Sequence, residues 1–308
     1  MSNTVEKLIL AAPRGYCAGV DRAVQTVERA LEIHGAPVYV RKEIVHNKHV
    51  VEQLRDRGAI FVDEQTEVPE GAVCVFSAHG VAPSVRAGAV QRSLHTIDAT
   101  CPLVTKVHRE ALHFAEGGYT IVLVGHEGHE EVEGTMGEAP ESIVLVQNEA
   151  DVDALEVEDP ERIAYVTQTT LAVDETTAIL ARLRERFPSI VGPRTDDICY
   201  ATTNRQAAVK QMAGRCDLML VIGSRNSSNS VRLVEVARDC GTDAYLIDNA
   251  GEIQEQWLDG TRIVGVSSGA SAPEDLVADL VAFFRARGVQ DVSEFDVISE
   301  DVRFMLPK

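Results

Sequence analysis

The sequence predicts an α/β fold built as three similar small modules with mainly parallel sheets, and three observations predict it. Apolar runs of strand length recur along the chain, each ending in a polar or glycine-rich tip and passing into an amphipathic segment of helical period. Three cysteines, Cys17, Cys101 and Cys199, stand at such tips, separated by 84 and 98 residues. Two further polar tips follow each cysteine at matched distances: His46, His129 and Ser227 at +29, +28 and +28, then His79, Thr169 and Ser271 at +62, +68 and +72. Self-similarity at a fixed period marks a repeated structural unit. The boundaries fall near residues 98 and 194, giving modules 1–97, 98–193 and 194–308, the last with a C-terminal tail.

In KLILAAPRGYCAGVDRAVQTVERAL, Leu8 to Ala12 read as a strand and Pro13, Gly15 and Gly19 as a turn. Val20, Ala23, Val24, Val27 and Leu31 then fall on one face of a helix. PVYVRKEIVHNKHVVEQL and AVCVFSAHGVAPSVRAGAV repeat the pattern and complete the first set. HTIDATCPLVTKVHREAL, TIVLVGHEGHEEVEG and RIAYVTQTTLAVDETTAILARL make the second. DDICYATTNRQAAVKQMA, DLMLVIGSRNSSNSVRLVEVA and RIVGVSSGASAPEDLVADLVAFF make the third. Sheets of such βα units bind ligands beyond the carboxyl ends of their strands. Three modules, each with one cysteine and polar tips on that edge, predict a pseudo-threefold arrangement in which three thiolates meet at one centre.

Composition narrows the chemistry. The chain is 45% hydrophobic and 25% charged, an ordinary globular profile. Its formal charge of −19 excludes a nucleic-acid partner, because 48 acidic residues repel phosphates. No apolar run reaches the ~18 residues of a membrane helix, and MSNTVEKLIL lacks the basic start and apolar core of a signal peptide. A cytoplasmic protein with no membrane partner is expected. Six cysteines there read as thiols or metal ligands rather than disulfides. CxxC, GxGxxG, HExxH and a GK pair are all absent, so the dinucleotide fingerprint and the P-loop are too.

Cys17 sits where the first N–H groups of the following helix point, a setting expected to lower a thiol's pKa. Three equivalent cysteines without a fourth leave two readings: Cys₃His zinc, or an iron–sulfur cluster with one incompletely ligated iron. Structural zinc usually draws on close ligand pairs, which disfavours it here. Cys74, Cys216 and Cys240 read as buried small hydrophobes. The remaining tips (HNKHVV, SAHGV, GHEGHEEVEGT, TQTT, GSRNSSNS and SSGASAP) suit helix capping one by one. Gathered at one centre they suit an anionic phosphate, with the NSSN at 226–229 the densest. His126 and His129 make at most an incomplete metal pair. Glu131 is a candidate proton donor if burial raises its pKa.

PRGYCAGVDRAV, EIVHNKHVV, SAHGV, DATCPLV, GHEGHEEVEGT, TQTTL, DDICYATTNRQ, GSRNSSNS and GASAP occur in order over residues 13–273. Together they resemble the 4-hydroxy-3-methylbut-2-enyl diphosphate reductases of the methylerythritol phosphate route to isoprenoids. That resemblance implies a [4Fe–4S] cluster held by Cys17, Cys101 and Cys199, with one iron open to a substrate oxygen. It implies substrate binding by His46, His79, His129, Thr169, Ser227, Ser228, Asn229 and Ser271, largely through the diphosphate, and proton donation by Glu131. The reaction implied is reductive dehydroxylation of an allylic diphosphate to isopentenyl and dimethylallyl diphosphate, with a ferredoxin or flavodoxin as electron donor. A three-cysteine lyase or synthase similar to quinolinate synthase, or a non-catalytic iron–sulfur sensor, would share the cysteines. The first is disfavoured by the NSSN tip, and the second has no use for Glu131.

Overall fold

The computed structural model of the chain describes residues 5–307. The chain runs through β1 (Lys7–Ala12), α1 (Ala18–His34), β2 (Val38–Arg41), α2 (Lys48–Asp56), β3 (Ala59–Val62), β4 (Val73–Phe76), α3 (Pro83–Gln91) and β5 (His95–Asp98). It continues with α4 (Pro102–Glu116), β6 (Thr120–Val124), α5 (Glu130–Glu138), β7 (Ile143–Val146), α6 (Glu149–Ala154), β8 (Ile163–Thr167) and α7 (Val173–Arg186). It closes with α8 (Tyr200–Ala213), β9 (Leu218–Ile222), α9 (Ser228–Asp239), β10 (Asp243–Ile247), β11 (Ile263–Ser268), α10 (Glu274–Ala286) and β12 (Asp291–Asp296). The class is α/β, as predicted, with three parallel sheets.

Two compact units divide the chain, neither continuous in sequence. The first comprises Met1–Val20, His46–Glu52 and Tyr200–Arg303 and holds the sheet β10-β9-β11-β1-β12. The second comprises Asp21–Val45, Gln53–Cys199 and Phe304–Lys308 and holds two sheets, β3-β2-β4-β5 and β7-β6-β8. All three sheets share one core order, in which the first of three successive strands lies between the second and the third. A further strand position, just before each cysteine, pairs with a third strand. β5 lies on β4, Val191 makes a single bridge to Ala164 of β8, and β1 lies on β11. Thus β1, grouped in sequence with residues 1–97, completes the sheet of β9 to β11.

Why these runs become central parallel strands shows in β9, LMLVI, where all five residues are buried. Leu218, Leu220 and Ile222 pack with Leu276, Leu280 and Phe284 of α10. Met219 and Val221, on the other face, pack with Ala208 and Met212 of α8 and Leu233 of α9. A strand covered on both faces must be apolar throughout rather than alternating.

Eight of the nine predicted units open on a strand. The ninth does not: Thr195 and residues 196–199, the DDIC of DDICY, are irregular. Their polar groups are spent on tertiary bonds, because Lys106 Nζ donates to the carbonyls of Thr195 and Asp196 and to Asp197 Oδ1 at 2.6, 3.1 and 2.9 Å. β3, β7, β10 and β12 were not among the nine units, since none of these strands ends in a polar tip followed by a long amphipathic run.

Candidate active site

The second unit brings six of the predicted residues together through a continuous run of bonds. Cys101 is the N-cap of α4, with Pro102 at the first helical position, and its N–H donates to Ala78 O at 3.0 Å. The next residue, His79, places Nδ1 3.1 Å from Glu130 Oε2, which also accepts from Ser77 Oγ at 3.3 Å. The His79 ring meets the His129 ring edge-on at 5.8 Å. His129 caps α5, its Nδ1 accepting from the Glu131 N–H at 3.1 Å, so that nitrogen carries no proton. Glu131 is only 2% exposed. Its Oε1 accepts from the Thr169 N–H at 2.7 Å and its Oε2 from Thr169 Oγ1 at 2.9 Å. Thr169 O in turn accepts from the Cys199 N–H at 3.0 Å.

Two ionisable groups here are shifted from their ordinary values. Burial pushes the Glu131 carboxyl up to about 7, against the bonds from Thr169 and the charge of His79, which pull it down. Burial opposes the charge on His79, but Glu130, Glu131 and Glu43 outweigh it and hold the imidazole above its ordinary value. A carboxyl half-protonated near neutrality, hydrogen-bonded to a hydroxyl, can give and retake a proton.

The first unit gathers the other predicted residues. Cys17 donates its N–H to Ala270 O at 3.2 Å, and its Sγ accepts from the Val20 N–H at 3.4 Å. Asn229 Oδ1 accepts from the Ala270 N–H at 2.8 Å. Ser227 caps α9, and its Oγ lies 3.0 Å from Ser230 Oγ and 3.5 Å from Ser271 Oγ. Ser271 Oγ donates to His46 O at 2.9 Å, while His46 Nδ1 lies 3.5 Å from Asn226 Nδ2. Ser227, Asn229 and Ser271 are buried, and Ser228 is half-buried at the first position of α9. The crowding needs two glycines: a Cβ at Gly223 or Gly269 would stand 2.2 or 2.0 Å from Ser230 Oγ. Hydroxyls and an amide around the N–H groups that open a three-turn helix are the groups an anion cradle would use.

Three cysteines therefore repeat one bond. Cys17, Cys101 and Cys199 each hand their N–H to the carbonyl of a third-tip residue, Ala270, Ala78 and Thr169, at 3.2, 3.0 and 3.0 Å.

Several expectations need correction. The Cys17 thiol is pushed up, not down: burial outweighs the N–H groups of Val20 and Gly19 and the Arg205 charge. Cys74 is buried as expected, but Cys216 is half-buried and Cys240, the C-cap of α9, is exposed. His126 Nδ1 lies 3.3 Å from Gln168 Oε1 and His129 Nδ1 accepts from the Glu131 N–H.

Sequence reading also passed over Glu130, Asp197 and Arg205. Arg205 is fully buried, donating to Gly15 O at 2.8 and 3.2 Å, to Ala201 O at 3.0 Å and to Glu300 at 3.0 Å. It thereby holds the turn that carries Cys17, where Gly15 has φ +68°. One signal was available: Thr202, Arg205 and Gln206 occupy buried positions of α8, where an ordinary helix is apolar.

The family described as LytB protein matches residues 8–285, which include every cysteine and every tip residue above. The chain belongs to the LytB family. This LytB protein is similar to the 4-hydroxy-3-methylbut-2-enyl diphosphate reductase of Nocardia farcinica, 60% identical over 100% of the chain and 92% of the relative. The enzyme of the same name from Acidothermus cellulolyticus is 61% identical over 98% of the chain and 89% of the relative. Among solved structures, the E-1-hydroxy-2-methyl-but-2-enyl-4-diphosphate reductase from Plasmodium falciparum matches with a TM-score of 0.96 at 38% identity, covering 98% of this chain and 96% of that one.

Proposed function

We propose that this LytB protein is a 4-hydroxy-3-methylbut-2-enyl diphosphate reductase, acting in the cytoplasm as the last step of the methylerythritol phosphate route. The observation that carries the reading is Glu131, buried, near-neutral in pKa and bonded through both oxygens to Thr169, whose carbonyl holds a cysteine N–H. The overall change replaces an allylic C–O bond with C–H: two electrons and two protons enter, and water leaves.

Cys17, Cys101 and Cys199 are proposed to hold a [4Fe–4S] cluster. The donor set fits such a group: three soft thiols, none in a disulfide, at equivalent loop tips with their N–H groups tethered alike. When bound, that cluster supplies electrons one at a time and a Lewis-acidic iron. Among the described residues no helix is long and apolar enough to cross a membrane.

The chain's own residues bind and protonate. Ser227, Ser228, Asn229 and Ser271 offer hydroxyls, an amide and the α9 N-terminus to the diphosphate, with His46 beside them. His79, whose imidazole Glu130 holds above its ordinary value against burial, offers a ring nitrogen beside the diphosphate. When Glu131 is protonated on Oε2 the 2.9 Å bond reverses, Oε2–H donating to Thr169 Oγ1, whose own hydroxyl proton can then pass to the leaving oxygen. His129 fixes the helix turn that carries Glu131.

Anaerobic purification should yield iron and sulfide in equal amounts. Reduced methyl viologen should then drive conversion of the allylic alcohol diphosphate to both isomeric products; no turnover by cluster-loaded protein overturns the reading. Removing one cradle group, by Ser227→Ala, Asn229→Ala or Ser271→Ala, strands diphosphate oxygens at about 1–3 kcal/mol each. Substrate Kd measured by calorimetry should rise roughly tenfold or more with the cluster spectrum unchanged. Unaltered affinity in all three variants would remove the anion cradle.

A further inference from the structure

Each cysteine leads into a helix, and each of those helices carries a cation at nearly the same place. Arg22 lies five residues after Cys17, Lys106 five after Cys101 and Arg205 six after Cys199. They stand in the second turns of α1, α4 and α8. A cation so near a helix start gains nothing from the helix dipole, so its partners lie elsewhere. Those partners are main-chain carbonyls, and they belong to the approach of the next cysteine. Arg22 Nη1 donates to Ala99 O and Thr100 O at 2.9 and 3.0 Å, the two residues before Cys101. Lys106 Nζ donates to Thr195 O, Asp196 O and Asp197 Oδ1 at 2.6, 3.1 and 2.9 Å, in the segment entering Cys199. Arg205 Nη2 and Nε donate to Gly15 O at 2.8 and 3.2 Å, two residues before Cys17. The order closes on itself: the helix after Cys17 serves Cys101, that after Cys101 serves Cys199, and that after Cys199 serves Cys17. Each of these bonds lies within one unit.

These bonds complement the tether that each cysteine N–H already makes. Cys101 shows it most directly, because the Thr100 carbonyl and the Cys101 N–H belong to one planar peptide group. Arg22 holds the oxygen and Ala78 O takes the N–H at 3.0 Å, so that plane is fixed at both ends. At Cys17 the two holds fall on adjacent peptides, Gly15 O meeting Arg205 and the Cys17 N–H meeting Ala270 O at 3.2 Å. At Cys199 the hold lies a little further upstream, and Asp197 extends it, its Oδ2 accepting from the Thr167 N–H at 2.8 Å. Hydrogen bonds from a charged donor are roughly twice as strong as neutral ones. Water competes little for them, since Arg205 is fully buried and Arg22 and Lys106 are half-buried.

We propose that Arg22, Lys106 and Arg205 are positioning residues, each clamping the approach to the next cysteine, so that three thiols are set before they take up their cluster. It rests on the ligand assignment above. Thiols on three separate loops would otherwise lose conformational freedom on binding, and ordering them in advance removes that cost from assembly. Partners that orient ligands in this way matter around metals generally, and their loss weakens metal binding. The crossed order gives the proposal its signature. A cation serving only its own helix would loosen its own cysteine when removed, whereas each of these three loosens the next.

The test measures amide hydrogen exchange and iron release to a chelator on the full chain loaded with iron and sulfide. Arg22, bonded to carbonyls alone among the described residues, is the cleanest position. Arg22→Met should speed exchange at residues 99–101, and around Met305, whose carbonyl it also holds at 2.8 Å. Residues 15–17 and 195–199 should keep their wild-type rates. Lys106→Met should loosen 195–199 and spare the other two approaches. Arg205→Met strands the Glu300 carboxylate that it meets at 3.0 Å, so it is made together with Glu300→Gln. That pair should loosen 15–17 and the chain around residue 300, and spare 99–101 and 195–199. Each variant should release iron about tenfold faster or more. Arg22→Lys and Lys106→Arg, which keep a charged donor, should return both readings towards wild type. Faster exchange at all three approaches, at the cation's own cysteine instead of the next, or at none, overturns the clamps. So does localised loosening with unchanged iron release. A wild-type chain that takes up no iron and sulfide overturns the ligand assignment itself, and this proposal with it.

Discussion

Glu131→Gln is expected to keep the cluster spectrum and substrate affinity while turnover falls by about 10²–10⁴-fold, the usual worth of a general acid. Glutamine preserves the shape and can still accept the Thr169 N–H that now reaches Oε1 at 2.7 Å. It cannot hold a transferable proton. The pH profile supplies an independent check with a definite sign. A proton donor whose pKa burial has raised to about 7 is competent below that value and is lost as pH rises through it. With the one-electron donor in excess, wild-type kcat should therefore fall on the alkaline side of about 7, and that limb should be missing from the residual activity of the variant. Near-normal turnover by Glu131→Gln would assign the proton to another group.

Replacing Cys17, Cys101 or Cys199 with serine should each abolish most of the iron–sulfur absorbance and all useful turnover, because a hydroxyl is a poor soft-metal ligand. Cys240→Ser, at an exposed helix end, and Cys216→Ser, half-buried, should leave both unchanged. Cys74 lies in the core against Phe76 and Val81, so alanine is the cleaner replacement there, avoiding a stranded hydroxyl. Iron analysis of the six variants decides the matter. Cluster loss in the second group with retention in the first would refute the ligand assignment.

The recurrence of cysteine and tips was readable because a parallel strand and the helix after it leave a strong imprint: an apolar run, then a glycine or polar tip, then a helical period. Glu131 was readable from its motif, but its Thr169 partner lies in another tip, and no local pattern announces that pairing. Arg205 escaped for a similar reason. Taken alone, a buried cation looks in sequence like a solvated one; its place on one helix stripe with Thr202 and Gln206 was the one hint, and the Gly15 carbonyl and Glu300 give the reason. Residues 195–199 misled in the opposite direction. They share their place in the repeat with strands, but Asp197 is drawn to Lys106 and to the Thr167 N–H at 2.9 and 2.8 Å.

Strand β1 is made long before either strand it pairs with. Its register matches Leu8 with Val264 on one side and Val292 on the other, so neither partner exists until all of β2 to β10 has been made. Contacts this distant in sequence are slow to close and leave an apolar strand waiting. The turn bearing Cys17 waits with it, since its N–H answers to Ala270 and its Gly15 carbonyl to Arg205. A nascent chain thus has Cys101 and Cys199 in hand well before Cys17 can take its place. On the proposed ligand set, assembly of the cluster therefore waits on α8 and the Ala270 turn, and a translation product truncated before them never presents a finished set of three thiols.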